Sequence, residues 1–101
     1  MAMAELLRDR WPVLAAQLET ALRACDEPTL AGLVEDLPVV RRCGCDDDFC
    51  QSFYTAAPPN GLYGAGHRNV VLDPPWNGFL ILDVVDDKIA YVEVLDRPPL
   101  D

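Results

Sequence analysis

Three of the chain's four cysteines, Cys43, Cys45 and Cys50, fall within eight positions in the pattern C-x-C-x4-C. In an extended strand Cys43 and Cys45 point to the same side, and a turn over Asp46 to Phe49 returns Cys50 close to Cys45. Three thiols brought together this way suit zinc, which takes four tetrahedral ligands, usually thiolate or imidazole. His67, the only histidine, would complete a Cys3His set. Two features oppose that reading. Structural zinc sites usually space their pairs C-x2-C or wider, and repulsion from Asp46, Asp47 and Asp48 disfavours the thiolate form that metal binding and nucleophilic attack require. The same residues also fit a redox pair, Cys45 with Cys50, or simply reduced, buried thiols, the ordinary condition of free cysteine. Cys25 stands apart and is expected in the core.

His67 sits beside Arg68 in a stretch rich in glycine and proline. A cysteine–histidine dyad needs an oxyanion donor to be a convincing nucleophilic site, and the sequence identifies none. Gly61, Gly64 and Gly66 do not precede an expected helix, which is the context in which a glycine-rich loop cradles phosphate. Asp46 to Asp48 lack the alternating ligand spacing of a calcium loop. Trp76, following Pro74 and Pro75, is either a partner anchor or a cap on the sheet's core.

The elements that must position these residues divide the chain in two. From Ala4 to Cys25, Leu7, Trp11, Leu14, Leu18, Ala21 and Cys25 recur at three- and four-residue spacing, the stripe of an amphipathic helix. Pro12 is tolerated only in a first turn, so the helix should break there and run on from Pro12 to Cys25. Asp26, Glu27 and Pro28 read as the start of a second helix that carries Leu30, Leu33, Val34 and Leu37 and stops at Pro38.

Beyond Pro38 the β-branched and aromatic content rises, and Val39–Val40 with Phe49–Tyr54 read as a hairpin holding the cysteines. Residues 57 to 68 read as a loop and Asn69 to Asp73 as a short strand. The clearest hairpin is Gly78 to Leu95. A three-residue loop sets Val84 opposite Ala90, Leu82 opposite Val92 and Leu80 opposite Val94, so that one face is wholly apolar, and puts Asp87 or Lys88 in the left-handed region. The other face, which includes Phe79, Ile81 and Tyr91, is more than half apolar and calls for cover by the loop or a second subunit.

The fold class expected is α+β: two N-terminal helices on a four- or five-stranded antiparallel sheet, in one domain over residues 1–101. With 8 basic and 17 acidic side chains, the net charge of −9 opposes binding to nucleic acid or anionic membrane, both of which require cationic neutralisation. Residues 1–10 carry no apolar run behind a basic start, and no segment approaches a bilayer span, so a soluble cytoplasmic protein is expected. A single lysine, Lys88, beside seven arginines suggests a GC-rich bacterial genome.

These residues fit three functions. The first is a non-enzymatic, small acidic protein whose cysteine cluster is structural, with either no cofactor or zinc. The second is an acidic protein-interaction module, such as an inhibitor or immunity partner of a basic enzyme. The third is a thiol redox protein. Partner contacts, whether with a basic protein or with a second copy in a homodimer, are expected at Trp76, Phe79, Ile81 and Tyr91.

Overall fold

The computed structural model describes residues 5–42, 49–57, 61, 63–98 and 100. Among them the chain opens with a two-residue strand, β1 (Glu5–Leu6), and a short helix, α1 (Leu7–Arg10). The break expected near Pro12 falls at Trp11 (φ −135°, ψ 74°), and α2 runs from Pro12 to Ala24. Proline has no N–H to continue α1 and pushes the residue before it out of helical geometry, so Trp11 ends one helix and starts the next. Leu7, Trp11, Leu14, Leu18 and Ala21 are buried, as their spacing requires.

Cys25 departs from that stripe and is exposed. It lies one residue past the end of α2 as the C-cap, so helical periodicity no longer governs where it points. Its thiol instead approaches the Val71 carbonyl at 3.8 Å. The next helix, α3 (Pro28–Leu33), tightens into a 3-10 turn over Val34–Asp36. Glu27 occupies its N-cap without a capping side-chain bond, and its carboxylate instead takes the Arg68 guanidinium at 3.0 Å and 3.2 Å.

Two further short strands follow, β2 (Pro38–Val39) and β3 (Arg41–Arg42), and then β4 (Phe53–Tyr54). Val39 does not join a cysteine hairpin: β2 pairs with β1 in a separate two-stranded sheet. The hairpin that spans the cysteines is β3 with β4, Arg41 opposite Tyr54 and Arg42 opposite Phe53.

The main sheet is antiparallel, in the order β3-β4-β7-β6-β5, with β5 at His67–Leu72, β6 at Phe79–Val85 and β7 at Lys88–Leu95. In the β6–β7 hairpin Leu80 faces Val94 and Leu82 faces Val92, as the apolar alternation demands. The tip is built differently from expectation. Val85 pairs with Lys88, leaving a two-residue turn in which Asp86 (φ 51°) and Asp87 (φ 63°) are both left-handed. Two-residue hairpin turns of the primed type need positive φ at both positions, and aspartate tolerates it better than most residues. Val84 then opposes Ile89 while Asp83 opposes Tyr91, so Ala90 is an extra residue in β7. This bulge absorbs the offset of the tighter turn and restores the apolar register.

One face of the sheet is thereby closed. Phe53, Leu80, Leu82, Val84, Val92 and Val94 are fully buried in one cluster with Leu14, Leu18 and Leu22 of α2 and Leu30 of α3. Trp11 meets Phe53 with ring centroids 5.4 Å apart, and Arg42 lies over the same indole at 5.4 Å. Among the described residues no helix is long and apolar enough to cross a membrane.

Candidate interaction face

The opposite face of the sheet carries the chemistry. Because directly paired residues share a side, the register places Arg41, Tyr54, Tyr91, Asp83 and Asn69 in one row across all five strands. At its centre Tyr54 and Tyr91 are in contact, with ring centroids 4.5 Å apart. Asp83 Oδ1 accepts from Asn69 Nδ2 at 2.7 Å and lies 2.7 Å from His67 Nε2. A carboxylate can only accept, so Nε2 is the protonated ring nitrogen.

His67 and Arg68 belong to β5 rather than to a loop. The alternation is hard to see because Arg68, on the helix side, is polar: it pairs with Glu27, and the hydrogen bond between them raises the arginine pKa and lowers that of the carboxyl. His67, Asn69 and Val71 therefore share the open side.

Tyr63 stacks on the His67 ring, with centroids 4.8 Å apart and planes 26° apart. Burial, then the nearby Asp83 charge, then Tyr54 push the Tyr63 hydroxyl above its usual pKa, so at neutral pH the ring is uncharged and its O–H is a donor. The turn that delivers Tyr63 is pinned to the hairpin tip. Gly66 (φ +88°) accepts the Asp86 N–H at 3.2 Å, and a β-carbon there would collide with the Asp86 carboxylate. Glycine meets that backbone angle without strain.

Around this polar centre the face is apolar and open. Val71 is 66% exposed and Phe79 54%, with half-buried Ile81 and Leu95 beside them. The charged residues registered on the face balance, Arg41 and Lys88 against Asp83 and Glu93. The groups set around His67 are the Tyr63 ring, Val85, Asp83 and Asn69, which supply stacking, hydrogen bonds and apolar surface. Exposed phenylalanine beside tyrosines, with few and balanced charges, is a composition enriched at protein interfaces.

Of the residues read from sequence as partner contacts, Phe79, Ile81 and Tyr91 lie together on this face. Trp76 does not join them. It packs against the core, its indole N–H donates to the Leu95 carbonyl at 3.1 Å, and the Arg97 guanidinium lies 5.3 Å from its ring.

The proposed Cys3His set is divided. Cys43 and Cys45 lie outside the described residues, whereas Cys50 is half-buried, with its thiol 3.4 Å from the Ser52 hydroxyl, and forms a bridge with Leu95. Leu95 faces Phe79 at one end of β6, and His67 faces Val85 at the other. At about 3.3 Å per residue those ends lie about 20 Å apart, so His67 does not reach Cys50. Among the described residues no three His, Cys, Asp or Glu side chains are grouped to hold a metal ion.

Sequence reading passed over Asp83, Asn69, Tyr54 and Tyr63. The signal that would have found them is the two-residue alternation His67, Asn69, Val71 carried across to β6. Comparison with known proteins adds no relative, since no family model, curated protein or solved structure matches this chain.

Proposed function

We propose that the protein is a non-enzymatic, acidic interaction module that docks a basic protein through the open face of its five-stranded sheet. The observation carrying this reading is the asymmetry of the sheet: one face is sealed under helices, and the other exposes Phe79 and Val71 around a tyrosine and histidine centre. Charge supports the choice of partner. The charges registered on the face balance, so the net −9 of the chain comes from residues outside that register. There it attracts a basic protein at long range without burying unpaired carboxylates at the contact. It also makes two copies of this chain repel one another.

The test is mapped capture. Protein retained from a lysate of the source organism should bind the wild-type chain, release as salt rises, and be lost to Phe79→Asp on the open face but not to Val13→Asp on the helix side. Loss with both variants, or with neither, removes the face from the function. A dimer in light scattering that Phe79→Asp dissociates would make a second copy the occupant.

In the same reading Cys43, Cys45 and Cys50 are a structural cluster, with zinc as the candidate ion. Stoichiometric zinc in protein purified without chelator or histidine tag supports it, and metal-free protein in which Cys43, Cys45 and Cys50 titrate rapidly alongside the exposed Cys25 argues for redox chemistry instead.

A further inference from the structure

We propose that Asp83, together with the rings of Tyr91, Tyr63 and Tyr54, forms a seat for a guanidinium group, the arginine anchor of the partner protein. This rests on the reading of the open face as a docking surface and gives that surface a chemical centre.

Both hydrogen bonds that Asp83 accepts, from His67 and Asn69, arrive at Oδ1. No described buried side-chain oxygen or nitrogen lacks a partner. Oδ2, which takes neither bond, therefore reaches the surface. The carboxylate is fixed by one oxygen and presents the other, in a half-buried setting where its side chain is 23% exposed. A charge held at partial burial with an open acceptor interacts with a cation more strongly than one fully in water.

The walls select the cation. Tyr91 lies directly opposite Asp83 in the register and contacts Tyr54, while Tyr63 approaches from the β5 side over His67. Its hydroxyl senses both the Asp83 charge and Tyr54, and stays protonated at neutral pH. Aromatic faces beside an open carboxylate oxygen suit a planar guanidinium, which is weakly hydrated, stacks on tyrosine and can donate to that oxygen. An ammonium is more strongly hydrated and has no planar face to stack on the rings, so lysine fits less well.

The experiment titrates the isotopically labelled full chain with three small probes, N-acetyl-arginine amide, N-acetyl-lysine amide and N-acetyl-citrulline amide, followed by nuclear magnetic resonance. The arginine probe should shift Tyr63, Asn69, Asp83 and Tyr91 most. The lysine probe should bind more weakly, and the citrulline probe, of the same shape without the charge, should leave these signals in place. Asp83→Asn should weaken the arginine probe by roughly tenfold or more, the loss of one charge-assisted bond. Tyr91→Leu should weaken it about three- to fivefold through the lost ring face.

Equal binding of citrulline and arginine, shifts centred on the helix side, or an Asp83→Asn chain that titrates like wild type would overturn the proposal. The probe comparison uses only the wild-type chain, so it stands even if a variant unfolds. Phe79→Asp separates the two readings: it should abolish partner capture yet leave the arginine titration intact. Loss of the titration with capture preserved would remove the seat and keep the docking face.

Discussion

The two faces of the five-stranded sheet are made from the same strands and do opposite work. On the helix side, Leu80, Leu82, Val84, Val92 and Val94 are wholly buried and exclude water from the centre of the layer. On the open side, the residues between them, Phe79, Ile81, Asp83, Tyr91 and Glu93, are half-buried or exposed. They combine apolar surface with a fixed carboxylate and stacked rings. Stability is concentrated on one side of a single layer and the proposed docking surface lies on the other, so substitutions one residue apart should separate folding from binding.

The largest contrast is between neighbours. Leu82→Ala should cost about 2–5 kcal/mol in denaturant unfolding, because it leaves a cavity among fully buried side chains. Ile81→Ala, on the half-buried side, should cost well below that range. Equal losses would mean that the open face is covered in solution.

Gly66→Ala comes next. It combines a positive φ with a clash against Asp86, and about 1–2 kcal/mol of destabilisation is expected from backbone strain of this kind. Tyr63 and His67 resonances should shift with it, because the same turn sets their stacking. Phe79→Asp is smaller still for folding, within about 0.5 kcal/mol as for other surface positions, and should act on partner capture alone.

The gentlest test is electrostatic. The Glu27 carboxyl is lowered by its hydrogen bond to Arg68, so the folded state holds the ionised form more firmly than the unfolded chain does. That contribution is present above the unfolded carboxyl pKa and fades as pH falls through the folded one. Arg68→Ala should therefore lower stability slightly at neutral pH, leave it unchanged below the carboxyl range, and so flatten the acid limb of the profile. On the alkaline side the sign is opposite. Tyr63 is raised, so the folded state keeps a proton that the unfolded chain releases, and stability should fall as pH climbs past the ordinary tyrosine value. Tyr63→Phe should remove that fall, as read by unfolding at a series of alkaline pH values.

How much of this was legible in the residues differs between the faces in the same way. Burial writes itself into sequence as period, so the α+β class, the helix break beside Pro12 and the pairing of Leu82 with Val92 could all be read. Details decided by one backbone angle could not. Asp86 and Asp87 both adopt positive φ, and the bulge at Ala90 that follows yields the same outer register as the looser turn expected. Cys25 followed the stripe on paper but sits beyond the last helical residue, where the period no longer applies. The open face is harder again. His67 and Asp83 are sixteen residues apart and meet only through the β5–β6 register, while Arg68 disguised the start of β5 by spending its charge on Glu27. The cysteines stand out through spacing alone, and spacing did not bring His67 to Cys50.

The strand order also carries a consequence in time. β5, β6 and β7 follow one another along the chain and pair as neighbours, whereas β4 reaches β7 only by closing the long segment between Tyr54 and Lys88. Short closures cost less entropy and form sooner. The three-strand meander should therefore exist while the cysteine-bearing hairpin is still unattached. Truncating Val84 should slow refolding, and truncating Phe53 should chiefly hasten unfolding. In the interval between, the chain would hold its guanidinium seat only in part, since Asp83, Asn69, His67 and Tyr91 would be assembled before Tyr54 arrives to complete the aromatic wall.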